Sequence, residues 1–269
     1  MSEAHIQGQE WGIVNVPLAD VLENPSFAAS RATQVQFGGI VCVICQSADW
    51  YKVRVVGQSC RGQGYPGWMR REYVSRCGFG AEEPSLRVSV LRAKLYSKPS
   101  GQGDPLTVYY GSRLQPVTES GDWFEVQIPG HQRTAWISKR QVSGESMPWS
   151  GDSLVNEAKR FLGTPYLWGG MSALGIDCSG LMYTVCARHG LLLPRDANEQ
   201  FKEGAEVDLA EAVAGDLLFF GRRGRVTHVG MYAGENTIIH ASGQRGVCLD
   251  NTFSKWSIAM MGVRRINAG

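Results

Sequence analysis

The chain has 269 residues, 43% of them hydrophobic and 19% charged, with a formal net charge of +2. That composition suits two or three globular domains, and the near balance of 27 Lys plus Arg against 25 Asp plus Glu excludes a field that would gather nucleic acid or anionic membrane. The longest apolar run, Ile40 to Cys45, is far shorter than the roughly 20 residues of a membrane-spanning helix.

The start, MSEAHIQGQEWG, is acidic and polar where a secretory leader would be basic and then apolar, and seven cysteines at irregular spacing do not suggest a disulfide framework. A cytoplasmic protein is expected. Further along, an internal repeat is visible. Asp49-Trp50-Tyr51-Lys52-Val53 returns as Asp122-Trp123-Phe124-Glu125-Val126, and Val35, Phe37 and Gly38 return as Val108, Tyr110 and Gly111 at the same offset of 73. Downstream, Trp68, Arg71, Val74 and Ser75 match Trp136, Lys139, Val142 and Ser143, with an insertion in the first copy around GQSCRGQGYPG. Apolar and polar residues alternate with period two inside each copy, as in Phe124, Val126, Ile128 against Trp123, Glu125, Gln127, which predicts short antiparallel strands. Such units predict small barrels, with Trp50, Trp68, Trp123 and Trp136 in their cores, because closure removes exposed sheet edges. Cys42 and Cys45 form a lone CxxC without the second ligand pair a structural zinc site needs, so no metal is expected.

The polar stretch Ser143 to Gly151 marks a boundary, after which the texture changes. From Asp152 a helix is predicted with Leu154, Ala158, Phe161 and Leu162 on one face and Gly163 as its stop. A second runs from about Cys178 to His189, with Leu181, Met182, Val185 and Cys186 at helical spacing. The strand-like runs DLLFFG, HVGMYAG, TIIHAS and MGVRRI follow, and helices before a sheet indicate an α+β fold. The Arg222, Arg223, Arg225 cluster before His228 reads as a solvated hairpin loop.

Cys178 stands in DCSG at the first turn of the predicted helix, where backbone N–H groups and the helix dipole favour a nucleophilic thiolate. A buried, inert cysteine is the commoner case for any single position. Two histidines shift that balance. His228 and His240 lie on consecutive strand-like runs with Gly234 and Glu235 at the turn between them, so a hairpin makes them neighbours. A thiol, an imidazole base and a second polar group that orients the base are the parts of thiol acyl transfer.

The motifs YLWGG (Tyr166 to Gly170), DCSGL (Asp177 to Leu181), LPRDANEQ (Leu193 to Gln200), GDLLFF, HVGMY and IIHAS occur in this order. They resemble the NlpC/p-sixty family of papain-like cysteine peptidases, and the tandem repeat ahead of them resembles bacterial SH3-like domains. The resemblance implies three domains: a first SH3-like domain over 1–80, a second over 81–145 and a papain-like catalytic domain over 151–269. It implies Cys178 as nucleophile, His228 as general base and His240 as the orienting residue. The combination further resembles the branch that cleaves γ-D-glutamyl-L-diamino acid bonds of murein peptides in cell-wall recycling.

By the same resemblance Tyr166 and Ser179 belong to the substrate site, Tyr166 as an oxyanion donor. Asp177 and Asp196 would flank the free amine of the substrate's L-alanine, and Tyr65, on the inserted loop of the first repeat, would contact that amine too. Where the first repeat of that branch often reads aromatic-Gly-Glu, this chain has Phe37-Gly38-Gly39, so the acidic contact is either absent or supplied by another residue such as Glu72. No cofactor, nucleic acid or membrane is implied, and a monomer is assumed. A thiol amidase or acyltransferase on the same scaffold, and a non-catalytic wall-binding protein, are the competing readings.

Overall fold

The computed structural model describes residues 10–60, 63–77, 85–144, 147–251 and 259–266. The chain divides into two compact units, Met1–Val56 with Gly64–Gly144, and Gly57–Gln63 with Glu145–Gly269.

In the first unit the repeat is carried by matching strands. The first copy comprises β1 (Glu10–Val14), β2 (Leu18–Leu22), β3 (Arg31–Gln36), β4 (Ile40–Ser47), β5 (Trp50–Cys60), β6 (Gln63–Arg70) and β7 (Val74–Cys77), in one sheet of order β3-β2-β6-β5-β4-β1-β7. The second comprises β8 (Leu86–Val88), β9 (Arg92–Leu95), β10 (Leu106–Tyr109), β11 (Arg113–Leu114), β12 (Pro116–Ser120), β13 (Trp123–Gln127), β14 (Thr134–Ser138) and β15 (Val142–Ser143), in three small sheets. Both copies begin a strand at their Asp-Trp motif and place a short 3-10 turn, Arg71–Tyr73 or Lys139–Gln141, before the last strand. Each also turns through a left-handed glycine, Gly38 at φ +74° and Gly111 at φ +82°. All-β repeats were expected and are present. Strand pairing does not close them: among the described residues β3 and β7 end the seven-stranded sheet without pairing to each other.

Each copy has its own aliphatic core, around Val21, Val41, Val53 and Met69 in the first and Val88, Leu95, Val108 and Ile137 in the second. The expected tryptophan cores are corrected here. Trp50 is buried, but Trp68, Trp123 and Trp136 are half-buried, because the narrow interiors are filled by Val, Leu and Ile. Phe37 departs from the repeat, since it belongs to the first copy but is fully buried in the second core. The Arg113 N–H donates to the Phe37 carbonyl at 2.8 Å, and a Cβ on Gly38 would stand 1.9 Å from the Arg113 carbonyl oxygen.

In the second unit, α1 (Gly151–Lys159) opens with a reciprocal capping box between Ser150 and Ser153. Leu154, Ala158 and Phe161 are buried as expected, but Leu162 is 45% exposed because the helix ends at Lys159 and the chain has turned away. A small hairpin, β16 (Met171–Ser172) with β17 (Gly175–Ile176), leads into α2 (Cys178–Arg188) and then α3 (Ala197–Gln200). The sheet is antiparallel, of order β18-β23-β19-β20-β21-β22, from β18 (Ala205–Val207), β19 (Leu217–Arg222), β20 (Arg225–Gly234), β21 (Thr237–Ser242), β22 (Gly246–Asn251) and β23 (Met260–Arg265). The apolar face of α2, Leu181, Met182, Val185 and Cys186, is fully buried, with the helix packed on β20 and β21. The β19–β20 turn is made by Arg223 and Gly224, both at positive φ, with the arginines around it exposed. The segment Gly57–Gln63 completes this unit. The Tyr183 hydroxyl donates to the Gly57 carbonyl at 2.8 Å, and the Arg195 N–H to the Ser59 carbonyl at 3.0 Å.

Phe37→Ala empties a ring-sized volume in the second core and is expected to destabilise the chain by about 3–5 kcal/mol. Urea unfolding of the first unit, followed by tryptophan fluorescence, measures this, and a change below about 1 kcal/mol contradicts the packing described.

Candidate active site

Helix α2 begins in a fixed pose because its cap is held from several sides. Asp177 is the N-cap, in extended conformation, and its Oδ1 accepts the Gly180 N–H at 2.6 Å. Its Oδ2 accepts the Gly169 N–H at 2.9 Å, which ties the glycine-rich loop to the helix start. Arg195 then donates twice, Nη1 to Oδ1 at 3.0 Å and Nη2 to Oδ2 at 2.7 Å, and it is 1% exposed. The Ser179 hydroxyl donates to Oδ1 at 3.3 Å and accepts from Arg195 Nη1 at 3.0 Å. A carboxylate surrounded by five donors is fully occupied, so the expectation that Asp177 flanks a substrate amine is revised. Its surroundings make it the anchor of the helix start and the counter-charge of a buried arginine.

Cys178 is therefore presented at the first residue of α2, 7% exposed, with the Ser179 and Val229 N–H groups donating to its sulfur. The expected lowering of its thiol pKa is not what this environment produces. Burial, with the Asp177 charge behind it, pushes the thiol up to about 11, outweighing the two N–H donors and the Arg195 cation. Resting Cys178 is a thiol at neutral pH.

The donor Val229 follows His228 on β20. His228 and His240 share one face of the sheet, since β20 and β21 pair with Met231 opposite Ile239, which puts His240 opposite Gly230 and His228 one diagonal step away. Gly230 leaves the gap through which the rings meet: a Cβ there would lie 2.3 Å from Ile238 Cδ1 and 3.0 Å from His240 Cβ. His228 Nε2 and His240 Nδ1 are 2.8 Å apart, and His240 Nε2 is 3.1 Å from Asp250 Oδ2. Asp250 in turn pairs with Arg245. The run ends on an acceptor-only carboxylate, so His240 carries its proton on Nε2, its Nδ1 accepts from His228 Nε2–H, and His228 Nδ1 is left as the basic nitrogen.

Burial, reinforced by neighbouring His240, lowers the His228 pKa to about 4, against a smaller opposing pull from Asp177. Burial lowers His240 as well, with Asp250 acting the other way. Both rings are neutral at pH 7. Asp250 itself is raised by burial, but hydrogen bonds from Arg245 and His240 outweigh this and hold it below the usual carboxylate range.

The other expected residues fall in different places. Tyr166, half-buried and bridged to Ile176, has its hydroxyl pushed up to about 12 by burial and the neighbouring Cys178 and Asp177, so it remains a donor. Asp196 is half-buried at the start of α3. Tyr65 lies on β6 of the first unit, packed against the first core. Sequence reasoning did not single out Arg195 or Asp250. Arg195 stands inside the LPRD motif, and Asp250 could have been found by extending the hairpin argument one strand further, to the register that sets it opposite Ile238.

The NlpC/P60 family model matches residues 163–265. A gamma-D-glutamyl-L-lysine dipeptidyl-peptidase of Bacillus cereus is 37% identical over 222 residues, which span 78% of this chain and 66% of that relative. A protein of the same name from Bacillus subtilis is 33% identical over 214 residues, 78% of this chain and 71% of that one. The crystal structure of an NlpC/P60 family protein from Bacillus cereus superposes with a TM-score of 0.87 at 28% identity, covering 95% of this chain and 99% of its own. With a thiol at a helix start beside a His–His–Asp relay, and relatives aligned across both units, the chain belongs to the NlpC/P60 family of cysteine peptidases.

Proposed function

We propose that this enzyme hydrolyses the bond between the γ-carboxyl of D-glutamate and an L-diamino acid, lysine or diaminopimelate, in murein peptides that begin with a free L-alanine. The observation that carries the reading is the relay His228–His240–Asp250, at 2.8 and 3.1 Å, beside the buried thiol of Cys178. The substrate class follows the two Bacillus relatives, both named for the γ-D-glutamyl-L-lysine bond.

Cys178 attacks the γ-carbonyl. Since thiol and imidazole are both neutral at rest, the thiol proton passes to His228 Nδ1 as the S–C bond forms, and Asp250 acts through His240 to stabilise the cation that develops. The tetrahedral oxyanion takes the Tyr166 hydroxyl as a donor. His228 returns its proton to the departing amine, leaving a thioester, and water activated by the same imidazole releases L-Ala-D-Glu and regenerates the thiol. Asp196 receives the alanine ammonium, for which a carboxylate supplies a charge-assisted hydrogen bond. Ser179, whose hydroxyl donates to Asp177 and accepts from Arg195, belongs to the same substrate site.

The reading includes the domain plan 1–80, 81–145 and 151–269, with the first two domains SH3-like. The protein is taken as a monomer, and a reducing, cytoplasmic compartment accords with seven cysteines that form no disulfide among the described residues. Among the described residues no helix is long and apolar enough to cross a membrane.

Three outcomes test the mechanism. L-Ala-γ-D-Glu-L-Lys is cleaved, its N-acetylated form about 100-fold more slowly, and Asp196→Asn shrinks that preference to about tenfold or less, as product masses and rates would show; equal rates in the parent enzyme rule out amine recognition. The acid limb of the kcat/KM profile falls only as pH drops through about 4, where His228 protonates and ceases to be a base because its folded pKa is depressed, and the alkaline limb falls above about pH 8 as the alanine ammonium loses its proton. Gly230→Ala drives His240 out of line and lowers kcat by about 100-fold with KM little changed.

A further inference from the structure

The back of the relay gathers three different metal-ligating side chains. His240 and Cys248 are directly opposite each other in the β21–β22 pairing, and Asp250 lies two residues along β22, so all three side chains stand on one sheet face. His240 Nε2 is 3.7 Å from Cys248 Sγ and 3.1 Å from Asp250 Oδ2, and the three ligand atoms lie within 4.8 Å of one another. Zinc bonds of about 2.0–2.3 Å at tetrahedral angles separate neighbouring ligands by about 3.2–3.8 Å, close to both separations measured from His240 Nε2. His240 is fully buried while Cys248 and Asp250 are half-buried, which leaves an approach for the ion and for a water as fourth ligand.

We propose that His240, Cys248 and Asp250 form an inhibitory site for Zn²⁺ or a similar borderline-soft divalent ion. Imidazole, thiolate and a single carboxylate oxygen favour zinc over magnesium or calcium, which take oxygen shells. Asp250 can serve without losing its ion pair, because Arg245 holds Oδ1 whereas Oδ2 faces His240. The site uses none of the cysteines of the CxxC motif.

Binding would reverse the relay. The ion takes the Nε2 lone pair of His240, so that proton moves to Nδ1, and Cys248 loses its thiol proton to solvent. His240 Nδ1–H now donates to His228 Nε2 across the 2.8 Å contact, which forces the His228 proton onto Nδ1. His228 can then no longer accept the Cys178 proton, although the metal touches neither residue. The site rests on geometry alone, and its effect on rate rests on the catalytic roles proposed above, so binding and inhibition are measured separately.

In the full-length chain, Co²⁺ reports binding through its thiolate-to-metal charge-transfer band, and Zn²⁺ is titrated against peptide hydrolysis. Loss of even an outer-shell partner costs about tenfold or more in metal affinity, so Cys248→Ser is expected to raise the half-inhibiting Zn²⁺ concentration by at least about tenfold while leaving metal-free activity unchanged. The Co²⁺ band attributable to this site is expected to persist in Cys178→Ala and to be lost in Cys248→Ser. A band lost with Cys178→Ala and kept in Cys248→Ser places the ion on Cys178 and overturns the proposal, as does equal Zn²⁺ inhibition of the parent enzyme and Cys248→Ser. Binding that depends on Cys248 without any inhibition upholds the site and overturns its coupling to His228.

Discussion

The active site is organised by one buried ion pair. Arg195, almost wholly enclosed, faces Asp177 through two hydrogen bonds of 3.0 and 2.7 Å, and everything at the head of α2 is referred to that contact. Removing one member of such a pair leaves an uncompensated charge at a cost of about 3–5 kcal/mol, so the two must be kept or lost together. The same carboxylate caps α2 and ties in the loop of Gly169, which makes the position of Cys178 a consequence of charge burial rather than of helix propensity.

That arrangement has an electrostatic cost at the thiol. A carboxylate one residue away and a water-poor surround oppose the thiolate, and the helix start does not overcome them. On the mechanism proposed above, Cys178 therefore gives up its proton at the moment of attack, and His228 must be held in the correct tautomer. The sheet does this with strand geometry: period-two alternation puts His228, His240 and Asp250 on one face, and the missing side chain of Gly230 lets neighbouring strands bring the two rings together.

Much of this was legible from the residues in order. The repeat predicted short strands in both copies, to which the structure adds matching 3-10 turns and left-handed glycines, and the spacing of Leu181, Met182, Val185 and Cys186 identified a helix buried on that face. The His228–His240 neighbourhood followed from one hairpin. What escaped was set by tertiary context. Three of the four repeat tryptophans are only half-buried because the interiors are too narrow for them, Phe37 crosses into the other copy's core, and Leu162 is exposed by a helix that ends one turn early. Asp250 required strand register beyond the first hairpin. The elevated thiol pKa required knowing that the water is gone, which local charge patterns do not report.

The segment Gly57–Gln63 belongs by its packing to the second compact unit, yet the 81 residues Gly64–Gly144 separate it from the rest of that unit. Its carbonyls at Gly57 and Ser59 accept from the Tyr183 hydroxyl and from the backbone N–H of Arg195, the arginine that anchors the start of α2. The catalytic unit is thus discontinuous along the chain. Cutting the gene before residue 145 would not yield a smaller version of the same enzyme, but one with an amide and a hydroxyl deprived of their acceptors, next to the contact that holds Cys178 in place.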